Sequence, residues 1–335
     1  MKNTSARIIL LAALAALVQP VIVQAADAIR SAKLAGKSPI KVFILAGQSN
    51  MEGQAVADLT GKYYNEGRGT LAELMRDPIK GAMFKHLKAA DGKWTVRDQV
   101  WVRYQRERAP LLAGPLSMGF AVYGGTHHFG PELQFGHVVA DVLPNQVLII
   151  KTAWGGKSLN VDFRPPSAGG EVGPYYAKMI AQVREAMANL RTDFPAYDGG
   201  DCELAGFVWW HGWNDFCDAK AVPAYEQNLV HFINDVRKDL KSPSLPFVIG
   251  EFTGPWLKDG KDLPAAAIAI RKAQAAVAAR PEFKGSVLFA ETRDFVRKAQ
   301  DSPNPTHGHH EFGNAETYFL VGDALGKGMV RLLTK

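Results

Sequence analysis

Five short apolar runs punctuate the chain: Val42–Ala46, Val147–Thr152, Gly206–Trp210, Phe247–Glu251 and Val287–Ala290. They show no strict alternation with polar positions, and each is too short for a buried helix. That is the pattern of strands covered on both faces, as in a parallel sheet. Between most of them lie stretches with apolar residues at helical spacing: Glu132–Val142, Tyr175–Leu190, Tyr225–Leu240, Leu263–Ala279 and Glu316–Leu333. Pro131 precedes the first of these, where a proline suits the first helical position. Strands alternating with helices predict the α/β class, a three-layer α/β/α sandwich around a five-stranded parallel sheet. One region breaks the alternation. Residues 55–129 have no clear period, scattered aromatics (Tyr63, Tyr64, Trp94, Trp101, Tyr104) and a glycine-rich tail. They are expected to form an irregular insertion that folds over the sheet end where Ser49 lies.

The first 25 residues read differently. Lys2 and Arg7 form a basic start, Ile8–Val18 an apolar core, and Val23-Gln24-Ala25 a small-x-Ala cleavage site. This predicts a signal peptide and a secreted or periplasmic protein. The apolar run is too short to span a bilayer and Pro20 interrupts it, so no membrane anchor is expected after cleavage. Residues 26–335 then form a single domain, with no linker or internal repeat to divide it.

Charge and cysteines narrow the classes further. The formal net charge is +6, and loss of Lys2 and Arg7 leaves +4. No lysine or arginine block accompanies it, so a nucleic-acid partner is not expected. Cys202 and Cys217 flank the third strand-like run. A strand of that length spans roughly 20 Å, whereas a disulfide needs Cα atoms within about 7 Å. They could pair only if the following loop folds back.

The candidate chemistry sits after the strands. The first strand runs into Gly47-Gln48-Ser49-Asn50, which places a serine at the sheet edge where open α/β sheets bind ligands. A serine there can also be a turn or helix cap. It lacks the second glycine of a nucleophile elbow, because Met51 stands in that position. A nucleophilic serine needs a base and an oxyanion site. The second strand ends in Trp154-Gly155-Gly156-Lys157, whose glycines let a backbone N–H approach a ligand. The third ends in Trp213-Asn214-Asp215, and Asn214 offers a neutral amide donor. His307, His309 and His310 precede the last helix and supply a base. Clustered histidines, with His127 and His128 in addition, could instead bind metal, but no Asp/Glu-x-His spacing completes a ligand sphere.

With these four blocks in hand, the chain resembles the SGNH hydrolases, whose fold is flavodoxin-like. Within them it is similar to the carbohydrate-acetylesterase branch of sialate O-acetylesterases and acetylxylan esterases. The resemblance rests on GQSNMEG around Ser49, FGPELQFG from Phe129, AWGGKS around Gly156, GFVWWHGWND to Asp215, and HHEFGNAETY from His309. It implies Ser49 as nucleophile and His310 as base. It implies an oxyanion hole from the Ser49 N–H, the Gly156 N–H (with Gly155 as the alternative) and Asn214, and Gln48 as a substrate-binding residue. It implies no metal or organic cofactor. Many relatives carry Asp three residues before the catalytic histidine; here that position is His307. Asp301 or Asp294 could orient His310, or a Ser–His dyad could act alone. Trp213-Asn214 also departs from the Glu-Ser of close relatives.

The resulting expectation is an exported serine esterase that removes acetyl groups from a carbohydrate. A carbohydrate-binding protein without turnover, and a lipid or short-chain esterase, are the alternatives. Acetate release and long-chain ester hydrolysis would separate them.

Overall fold

The computed structural model of the protein describes residues 39–254 and 264–335. The expected signal segment, and the start of the Leu263–Ala279 helix, therefore lie outside the described residues. In chain order the elements begin with β1 (Ile40–Gly47), α1 (Ser49–Glu52), β2 (Ala55–Val56), α2 (Leu71–Leu74), β3 (Arg97–Gln105) and β4 (Leu111–Leu116). Then come β5 (His128–Phe129), α3 (Glu132–Val142), β6 (Val147–Ala153), α4 (Pro174–Ala188), α5 (Leu190–Asp193) and β7 (Cys202–Trp210). The chain closes with α6 (Trp213–Phe216), α7 (Tyr225–Asp239), β8 (Phe247–Gly250), α8 (Ala265–Ala278), β9 (Val287–Ala290) and α9 (Ala315–Leu333).

The main sheet has seven strands in the order β4-β3-β6-β1-β7-β8-β9. All five expected strands are present, and every pairing among them is parallel. Their order, 2-1-3-4-5 when counted among themselves, is the flavodoxin-like one, with its ligand-binding crevice between the first and third strands. Those are β1 and β7, the strands that end at Ser49 and Asn214.

Strand β1 shows why the apolar runs fold as they do. Val42, Ile44 and Ala46 face one core with α4, α7 and α8, while Phe43 and Leu45 face the other with α3 and α9. Every residue from Val42 to Ala46 is fully buried. A strand buried on both faces shows no polar alternation, as the sequence displays.

The strand count and the insertion are corrected. The insertion does not stay irregular: β3 pairs parallel with β6, and β4 pairs antiparallel with β3, so the sheet gains two strands on one side, with β4 at the edge. The Arg97–Gln105 run conceals a strand because Arg103 interrupts its apolar residues. Arg103 is only 3% exposed and is neutralised by Glu185 at 2.7 Å and Asp193 at 2.6 Å. Trp101, on the same face, stacks on Phe194 at a centroid distance of 4.8 Å. The rest of the insertion returns through the β2–β5 pair, where Ala55 lies opposite Phe129. Cys202 and Cys217 are both free thiols, one at the start of β7 and the other beyond its end.

Candidate active site

Ser49 opens α1 directly after β1, half-buried at the sheet edge. The turn is tight because Gly47 has no side chain: a Cβ there would come within 2.9 Å of the Met51 Cβ and closer still to the Trp210 carbonyl. The chain can therefore swing Ser49 out only if residue 47 is glycine.

Gln48 is the best-defined member of the site. It is 3% exposed. Its Oε1 accepts the Gly212 N–H at 3.3 Å and the Trp213 N–H at 3.0 Å, and its Nε2 donates to Asn214 Oδ1 at 3.0 Å. Gln48, expected as a substrate contact, is engaged with the Asn214 turn in this structure. The two backbone donors dictate which end of the Gln48 amide faces them, and this in turn fixes the Asn214 amide. Asn214 must turn its oxygen inward, which leaves its Nδ2 hydrogens for the half-open face. Asp215 holds the same turn from below. Its buried carboxylate accepts the Leu159 N–H at 2.7 Å and the Asn160 N–H at 2.9 Å. Burial pushes its pKa up to about 7 against those two donors.

The glycine turn after β6 lies alongside Ser49. A Cβ on Gly155 would sit 3.5 Å from the Ser49 Cβ and 3.0 Å from Glu52 Oε2. The Glu52 carboxyl is buried and accepts Tyr104 Oη at 3.1 Å. Burial raises its pKa, opposed by Tyr104, Lys151 and the Gly155 N–H. The Gly155 N–H therefore faces Glu52, while Gly156 adopts a left-handed φ of 73° with open space around its Cα. Beneath them Lys151, fully buried, donates to Glu132 Oε2 at 2.9 Å, to the Glu52 carbonyl at 2.9 Å and to the Phe120 carbonyl at 2.6 Å. This ammonium joins β6, the serine turn and the insertion, in a network where each partner is satisfied.

His310 comes from the segment before α9. It is half-buried, and burial, then the neighbouring His309 and His307, bring its pKa down to about 4. Its imidazole is neutral at pH 7 and able to accept a proton. Catalytic hydrogen bonds often tighten only once substrate is bound; here no direct one joins the Ser49 hydroxyl to the His310 imidazole. Their backbones are tied: Asn50 Nδ2 donates to Glu311 Oε1 at 3.2 Å, and Tyr318 Oη donates to Asn50 Oδ1 at 2.8 Å. His309 lies over Trp213 at a centroid distance of 6.3 Å, which brings the histidine segment to the Asn214 turn.

Neither carboxylate considered for the third role reaches His310. Asp294 and Asp301 are both exposed, and neither is hydrogen-bonded to it. Asp301 lines a separate cavity of about 510 Å³ with Arg68, Lys80 and Glu316. Among the described residues no group of three His, Cys, Asp or Glu side chains is placed to hold a metal ion. No helix among them is long and apolar enough to cross a membrane.

Sequence reasoning missed Glu311, Tyr318, Thr253 and Gln54. Gln54 Nε2 donates to the Ser49 carbonyl at 3.2 Å, and Tyr123 Oη donates to Gln54 Oε1 at 2.8 Å. Tyr123 is 47% exposed and brings an aromatic ring of the insertion to the serine turn, whereas Trp101 and Tyr104, among the aromatics singled out there, are buried in β3. The one available signal was Glu311 itself, an acid adjoining the candidate base.

A sequence profile described as carbohydrate esterase, sialic acid-specific acetylesterase, matches residues 39–314, and the chain belongs to that family. It is thereby placed among hydrolases that act on ester bonds. Among solved structures it is similar to a protein of Arabidopsis thaliana, with 16% identity and a TM-score of 0.54 over 88% of this chain and 98% of that one. At that identity the likeness is one of fold. It is also similar to a carbohydrate acetylesterase from Xanthomonas citri, with 14% identity and a TM-score of 0.49 over 86% of this chain and 56% of that one. A search of curated protein sequences returns no match.

Proposed function

We propose that the protein is an exported serine esterase that removes O-acetyl groups from a carbohydrate through an acetyl-serine intermediate. The observation that carries this reading is the lock between Gln48 and Asn214, which sets a neutral amide donor beside a serine at the switch point of the sheet. Ser49 attacks the acetyl carbonyl, and His310 takes the hydroxyl proton. The oxyanion is received by the Ser49 N–H, the Gly156 N–H and Asn214 Nδ2. The engagement of the Gly155 N–H with Glu52 favours Gly156 for that role. His310 then protonates the departing sugar oxygen. Water resolves the acetyl-enzyme with the same base, releasing acetate. No metal or organic cofactor enters these steps.

Gln48 acts here by orienting Asn214 rather than by touching sugar. With no carboxylate among the described residues hydrogen-bonded to the imidazole, His310 works as the base of a Ser–His dyad. A lowered pKa keeps such a base neutral but makes it a weaker proton acceptor. Export rests on the sequence of residues 1–25 alone. Acetate release from O-acetylated sialic acid and acetylated xylan, with Ser49→Ala as the control, tests the reading. Cleavage of long-chain esters in preference to both would favour a lipid esterase instead.

A further inference from the structure

The segment that carries His310 is strained, and its immediate neighbour is anchored in an unusual place. Glu311 and Phe312 have φ of 48° and 55°, and Gly313 follows at 66°. Consecutive left-handed residues other than glycine persist only where the surroundings over-determine them. Phe312 is buried against Val296 and Ala299. Glu311 is fully buried, its carboxyl sent inward away from the solvent that would hydrate it. Its Oε1 accepts from Thr253 Oγ1 at 2.5 Å and from Asn50 Nδ2 at 3.2 Å, while Oε2 has no partner among the described residues. The same Asn50 amide is held at its other end by Tyr318 Oη, which also lies 3.3 Å from the His310 carbonyl.

These contacts close a ring. Asn50 follows Ser49, Glu311 follows His310, and Tyr318 touches both sides. We propose that Glu311 is a positioning residue, whose buried carboxyl clamps the His310 segment to the serine turn through Asn50 and Thr253. This rests on the esterase reading of Ser49 and His310. The clamp replaces, by holding backbone, part of what an orienting carboxylate does by holding an imidazole. It explains why an acid with one unpartnered oxygen is kept inside the protein rather than facing water. Thr253 adds the end of β8 to the ring, so three separate stretches of chain are set relative to one another.

The test compares Glu311→Gln with Glu311→Leu. A glutamine oxygen can accept from both Asn50 and Thr253, whereas leucine frees both donors. Glu311→Gln is expected to keep kcat on a small acetyl ester within about threefold of wild type. Glu311→Leu is expected to lose kcat by about 10- to 100-fold with KM changed less than about twofold, since the clamp sets the geometry of attack rather than binding. Equal kcat in wild type and Glu311→Leu, or equal loss in both variants, overturns the clamp. Should Glu311→Leu fail to fold, Tyr318→Phe opens the ring from the other side; undiminished kcat there also overturns it. A readout free of turnover separates this from the esterase reading. The Asn50 side-chain amide protons should exchange slowly with solvent in the wild type and quickly in Glu311→Leu. Fast exchange in the wild type refutes the clamp whatever the enzyme hydrolyses. An inactive wild type with slow exchange refutes only the esterase reading.

Discussion

Changing Gln48 to Glu alters a single atom type at the lock on Asn214. In the wild type Oε1 takes two backbone donors, at 3.3 Å from Gly212 and 3.0 Å from Trp213, and Nε2 donates to Asn214 at 3.0 Å. A carboxylate still accepts both N–H groups, so the turn keeps its support. It cannot donate to Asn214 Oδ1. Two acceptors would then face each other, and the Asn214 amide must flip to present Nδ2 to the carboxylate. Hydrogen bonds to a charged acceptor contribute about 1.5–3 kcal/mol each, enough to hold the flipped state and the fold. Flipping removes the Asn214 donor from the oxyanion, and losing one such donor costs roughly 10²–10³ in kcat, or about 2.7–4 kcal/mol. Gln48→Glu is therefore expected to lower kcat by that amount with a Tm close to wild type, assayed near pH 8 so that the introduced carboxyl is ionised. Asn214→Ala should lose as much, and the double variant no more than either alone, because both changes remove the same donor. Full activity in Gln48→Glu, or additive losses in the double variant, would refute the argument.

Three further outcomes follow from other parts of the structure. His310 has its pKa lowered to about 4, mainly by burial, and the unprotonated imidazole is the active form, so kcat/KM should rise as pH climbs through about 4 and be flat by pH 6; an acid limb centred near 6.5 would contradict the burial of its ring. Glu311 is raised to about 7 by burial despite Thr253, Arg271 and Asn50. The cost of its ionised form is absent below the unfolded value of about 4.5 and fully present above about 7, so Glu311→Gln should gain stability over wild type across that window, by up to about 3 kcal/mol; a pH-independent difference in denaturant midpoints would count against it. Lys151→Met strips the buried Glu132 carboxylate and two carbonyls of their donor and should cost about 3–5 kcal/mol, partly recovered by adding Glu132→Gln; a loss under 1 kcal/mol by urea unfolding would show that the pair does not hold the site floor.

The fold was legible wherever burial wrote itself into composition. Residues 42–46 lie between two cores, so every position is apolar, and a strand could be read from five letters. The long helices were legible for the same reason, with α3 falling on Glu132–Val142 as expected. Strands β3 and β4 were not. Arg103 is charged yet buried, and its partners Glu185 and Asp193 lie more than 80 residues away, so nothing local distinguishes it from a solvated arginine. Gly114 and Pro115 look like a loop but sit on an edge strand, where a missing N–H costs no ladder bond on the open side.

The site divides in the same way. Ser49, Gly156 and Asn214 could be named because each follows a strand that the pattern reveals, and His310 because it precedes the last helix. Their supports could not. Gln48 reads as a substrate contact, and nothing local shows that its oxygen also accepts from Gly212 and Trp213, more than 160 positions away. Glu311 stands beside a conspicuous histidine, but its meaning lies in Asn50 and Thr253. Such roles depend on contacts between distant segments, and local composition carries no trace of them.

The central claim is that Ser49 is an esterase nucleophile acting on acetylated sugar. Acetate released from O-acetyl sialic acid and acetylated xylan by the purified protein tests it most directly, with Ser49→Ala measured beside it. Release from at least one of these that disappears in the variant is the expected result. No release from either substrate, with sugar binding retained by calorimetry, would contradict the account and leave a binding protein on an esterase fold.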